Sequence, residues 1–120
     1  MEKELFDFVS ARAEILSKSD ASTQITKDAA QAWIDAVAAD ADAADAATDK
    51  LLSILDGRPT TIDDVIAFAK GPAAQMFGQE AANKMLAEQM KRKKEGAKFC
   101  NCEACSAASE LLARFGRVEL

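Results

Sequence analysis

Leu5, Phe8, Val9, Ile15 and Leu16 recur at helical spacing and form one apolar stripe, which predicts a first helix from about residue 2 to about residue 18. Ser19, Asp20 and Ser22 interrupt it. A second stripe of Ile25, Ala29, Ala32, Trp33 and Ala36 predicts a helix over roughly 23 to 38. The polar turn before it carries Ser, Thr and Asp side chains that can accept from the unpaired amides of a helix start. Residues 38 to 50 look like low complexity, yet Ala44, Ala47, Leu51, Ile54 and Leu55 share a face while Asp42, Asp45 and Asp49 lie outward, so a third helix with a solvated acidic side is expected. Those carboxylates near a helix start complement its dipole, which accounts for them without a calcium site.

Gly57, Arg58 and Pro59 break the pattern. Thr61, followed at the third position by Asp64, resembles a capping box and opens a fourth helix with Ile62, Val65, Ile66 and Ala69 inward. Gly71 and Pro72 end that helix and start the next, which runs from Ala73 to about Glu95, with Gly78 as a possible break and Met76, Phe77, Ala81 and Met85 as apolar contacts. Gly96 is a natural helix terminator. A final helix over about 103 to 115 follows from Ala104, Ala107, Ala108, Leu111, Leu112 and Phe115, with Gly116 after it.

The expected architecture is all-α: one helical domain over residues 1–120, a bundle of about six helices, with a cysteine segment at 96–106. Composition agrees, since 26 of the residues are alanine, the best helix former, and no alternating β-branched run of strand length appears. Fifteen Lys and Arg against 20 Asp and Glu leave a net charge of −5, which argues against a protein that coats nucleic acid or anionic lipid. Histidine and tyrosine are absent, which removes the side chain titrating nearest neutrality and with it most familiar hydrolase arrangements. The N-terminal MEKELFDFVS lacks the apolar run of a signal peptide, and no stretch approaches a membrane span, so a cytoplasmic protein is expected.

The chemistry is concentrated in Lys98-Phe99-Cys100-Asn101-Cys102-Glu103-Ala104-Cys105, which holds every cysteine of the chain. In a reducing compartment such a group is more often a metal or redox site than a disulfide. The C-x-C-x-x-C spacing, where a loop enters the last helix, lets one turn of backbone bring the sulfurs of Cys100, Cys102 and Cys105 toward one point, facing helix-start amides that favour thiolate. Metal binding at these three residues is preferred, with zinc ahead of an iron–sulfur cluster, because zinc takes thiolates tetrahedrally and does not need a fourth cysteine. Glu103, Glu110, water, a small molecule or a second subunit are the candidates for the fourth ligand. The alternatives are a thiol redox pair of Cys102 and Cys105, although no βαβ pattern accompanies it, and reduced cysteines acting as small apolar residues.

Upstream, Lys91-Arg92-Lys93-Lys94 and Lys98 are the only dense positive charge. Cations collect at a helix C-terminus and stay in water, and the same charges would screen a thiolate site; no aromatic platform for nucleic acid is interleaved with them. Arg12, inside the first stripe, reads as an arginine that lays its stem on the core and pairs with an acidic partner, and Trp33 reads as core.

Ala32-Trp33-Ile34-Asp35-Ala36-Val37, Val65-Ile66-Ala67-Phe68-Ala69, Phe77-Gly78 and the run from Gly96 to Cys105 together resemble a group of small proteins of anaerobic bacteria that carry this cysteine motif. Some of them are labelled as related to the ninety-kilodalton heat-shock chaperone, but this chain has no glycine-rich nucleotide loop. The resemblance implies a recurring cysteine site and no established activity. The reading from sequence is thus a small metal-binding or metal-responsive interaction protein, a binder rather than an enzyme. It would work with an unidentified protein partner or by self-association, with a thiol oxidoreductase or electron carrier as the alternative.

Overall fold

A computed structural model describes residues 1–120 and contains α-helices joined by short turns. They are α1 (Lys3–Lys18), α2 (Gln24–Ala39), α3 (Ala44–Leu55), α4 (Ile62–Lys70), α5 (Pro72–Phe77), α6 (Gln79–Lys94) and α7 (Glu103–Arg114). The protein is all-α, as its patterning predicts. Seven helices stand where about six are expected, because the break at Gly78 is real: its φ of 90° and ψ of 157° belong to a backbone region open essentially to glycine alone. Side-chain caps fix other starts: Thr23 Oγ1 accepts from the Thr26 amide at 3.3 Å, and Thr61 Oγ1 from the Asp64 amide at 3.2 Å. No helix is long and apolar enough to cross a membrane.

By packing, the helices sort into two units, whereas the sequence shows no interdomain linker. The first comprises residues 1–59 and 101–119, so α7 completes a core begun by α1, α2 and α3. Val9, Ala13, Leu16, Trp33, Leu51, Leu52, Leu55, Leu111 and Leu112 are buried there. Each fully buried leucine contributes about 1.5–3 kcal/mol. The Trp33 indole N–H donates to Thr48 Oγ1 at 2.9 Å, and Phe6 lies on the indole at 5.5 Å between centroids. Arg12 matches its expected role: its Nε donates to Glu110 Oε2 at 3.0 Å and its guanidinium lies 3.9 Å over the Phe8 ring.

In α2 and α3, Ala29, Trp33, Ala44, Leu51 and Leu55 are buried as expected, but other positions of those stripes are corrected. Ile25 is 55% exposed and Ala32 is exposed, while Thr26, Ala29, Ala30 and Trp33 are buried. In α3, Thr48 rather than Ala47 is fully enclosed, drawn inward as the acceptor for the buried indole.

The second unit, residues 60 to 100, packs α4 against α5 and α6. Ile62, Val65, Ile66 and Ala69 are buried as predicted, with Ala73 and Ala82 beside them. Three of the expected contacts are overturned: Met76 is 66% exposed, Phe77 is 55% exposed, and Ala81 faces out while Ala82 and Gln89 face in. The cause is Gly78, which resets the helical phase, so a stripe read through it as one helix loses register. Phe77 keeps one edge contact, to Phe68 at 6.3 Å between ring centroids.

Candidate metal centre

The approach to the cysteines begins where α6 ends. Gly96, at φ 98°, takes the left-handed turn that stops the helix, its amide donating to Lys93 O at 3.0 Å and that of Ala97 to Arg92 O at 2.9 Å. The chain then runs extended through Phe99, which forms an isolated antiparallel bridge with Thr61. Two backbone hydrogen bonds clip this stretch in place, from the Ile62 amide to Lys98 O at 2.9 Å and from the Cys100 amide to Thr60 O at 2.8 Å. Arg92 adds a third hold: Nη1 donates to Phe99 O at 2.9 Å and to the buried Gln89 Oε1 at 2.7 Å.

Cys102 is the N-cap of α7, with extended φ −62° and ψ 159°, and its sulfur accepts from the Cys105 amide at 3.3 Å. A thiol thus stands where Ser, Thr or Asp would ordinarily cap, which places Cys102 and Cys105 one turn apart on the same end of the helix. Beyond Asn101, Cys100 completes the group.

The three Sγ atoms all lie within 4.8 Å of one another, each on a half-buried residue, and none is in a disulfide. Tetrahedral zinc, with Zn–S bonds of about 2.3 Å, sets sulfurs roughly 3.8 Å apart, inside the 4.8 Å within which these three sulfurs lie. Three cysteines this close can hold a metal ion. No carboxylate oxygen belongs to the group. Of the acidic candidates for a fourth ligand, Glu103 is exposed and Glu110 is engaged by Arg12.

The basic run divides by role. Lys91, Lys93 and Lys94 are exposed, with Lys93 Nζ 2.6 Å from Asp63 Oδ1, as a solvated helix end would be. Arg92 is different: it is half-buried and grips the carbonyl directly before Cys100. Sequence reasoning missed it because four consecutive cations look alike, and only the chain reversal at Gly96 tells which of them faces Phe99.

No protein-family model matches the chain, nor does any curated protein or solved structure.

Proposed function

We propose that this is a small cytoplasmic metal-binding protein whose ion, zinc by preference, is held by Cys100, Cys102 and Cys105. The observation that supports this reading is the convergence of the three sulfurs within 4.8 Å on backbone fixed from both sides. A Cys102 sulfur already accepting an amide hydrogen bond suits a metal-bound thiolate, whose charge that amide would offset. With three ligands from the chain, the fourth position stays exchangeable, which suits a metal-responsive interaction with a protein partner or a second copy better than a closed structural site.

The test is elemental analysis of protein purified without oxygen or chelator, paired with timed alkylation of its thiols. Expected are about one zinc per chain and slow alkylation, with each single Cys→Ser change losing most of the metal. Metal-free protein with three rapidly alkylated thiols would sink the reading. It would favour a dithiol role for Cys102 and Cys105, which the position of this C-x-x-C at a helix start supports.

A further inference from the structure

Resting on the metal-binding reading, we propose that the three-cysteine group is also a capture site for trivalent thiophilic metalloids, arsenite being the simplest, and is better completed by them than by zinc. The argument is one of coordination number. The chain offers three thiols, no histidine and no fourth cysteine, and no carboxylate oxygen joins the group. Zinc in such a site lacks one ligand. A trivalent arsenic or antimony centre lacks none, because it binds three soft thiolates as a pyramid and its own lone pair occupies the fourth tetrahedral direction.

The geometry agrees. A pyramidal ion needs three sulfurs close enough to share one centre, and all three Sγ atoms lie within 4.8 Å of one another on half-buried residues. Two of the three are spaced by a helical turn at the start of α7, and the third arrives on a strand-like segment held by the Cys100 amide bond to Thr60 O.

The reaction balances without an oxidant. Arsenous acid, As(OH)₃, and three Cys thiols give As(S-Cys)₃ and three waters. Three As–O bonds and three S–H bonds break, three As–S and three O–H bonds form, each hydroxide leaves with a thiol proton, and arsenic stays trivalent.

The test titrates arsenite into the reduced, metal-free full-length chain under argon, in parallel with zinc against a competing chelator. Intact mass and the number of alkylatable thiols are followed in both. The expected result is one arsenic per chain with three thiols protected together, not reversed by excess zinc. Cys100→Ser and Cys102→Ser should each bind about a hundredfold more weakly, the order of gain that an intramolecular third attachment provides. Cys102→Ser keeps an N-capping side chain and so controls for folding, with far-ultraviolet circular dichroism as the check. Protection of only two thiols, with Cys100→Ser binding as well as the unaltered chain, overturns the metalloid site. Tight zinc binding that arsenite fails to displace also overturns it while leaving the metal reading standing. Failure of both ions overturns both.

Discussion

Replacing Arg92 by methionine keeps most of the aliphatic stem but removes the guanidinium that donates to Phe99 O at 2.9 Å and to Gln89 Oε1 at 2.7 Å. A hydrogen bond to a charged group contributes about 1.5–3 kcal/mol, so the loss should register in thermal stability. The larger interest is the effect on metal retention. With Arg92 gone, the segment keeps its two backbone clips, at Lys98 O and at the Cys100 amide, so the peptide between Phe99 and Cys100 stays held by its N–H and loses only the hold on its carbonyl. Because fixing a fully free residue costs roughly 1–2 kcal/mol of backbone entropy, the loosened carbonyl sets that figure as the ceiling on what metal binding must restore. Zinc affinity should therefore fall measurably but by no more than about 30-fold, measured by competition with a chromogenic chelator. Lys94→Met removes the same charge from an exposed position and should leave affinity unchanged. Because the effect is one of geometry, it should persist at high salt, where a screening effect would fade. Equal weakening by both substitutions, or none by Arg92→Met, would refute the assignment of Arg92 as a positioning residue.

Two further outcomes are expected. Thr48→Val leaves the buried Trp33 N–H without its 2.9 Å acceptor and should cost about 1–3 kcal/mol, read by thermal unfolding followed through the fluorescence of the only tryptophan; an unchanged midpoint would contradict it. Chelation of any bound metal should leave the far-ultraviolet helical signal nearly intact, because none of the fully buried residues of the first unit's core is a cysteine and only Cys102 packs against them, whereas loss of most of that signal would make the metal integral to folding.

How far the sequence discloses the fold depends on side-chain size. In α4 and α7, bulky Ile62, Val65, Ile66, Leu111 and Leu112 fix the inward face, and all of them are buried as read. In α2 and α3, alanine is so frequent that several faces are nearly equal in apolar area, and burying one alanine rather than its neighbour changes little. There the choice falls to single large or hydrogen-bonding groups: Trp33 turns α2, and Thr48 follows it in α3. The outward placement of Met76 and Phe77 was illegible for another reason, since a glycine inside a helical pattern reads as tolerated until its φ is known. At the candidate site, the three cysteines announce themselves by spacing. Arg92 does not, because its bond to Phe99 O spans seven residues and depends on a chain reversal that no periodicity encodes.

The hydrogen bond from the Cys100 amide to Thr60 O joins the two ends of the segment that interrupts the first unit in sequence. For an unstructured excursion of this length, bringing its ends together would cost entropy rising as about 1.5 RT times the logarithm of its length. Here that cost is met inside residues 60 to 100, whose own helices hold their ends 2.8 Å apart from donor to acceptor. Once residues 60 to 100 are folded, the excursion acts as a tight turn for the chain of the first unit, so bringing α7 onto α1 carries little of that closure cost. Cys102 and Cys105 ride on that arriving helix, so the step that seals the leucine core also fixes two of the three clustered thiols.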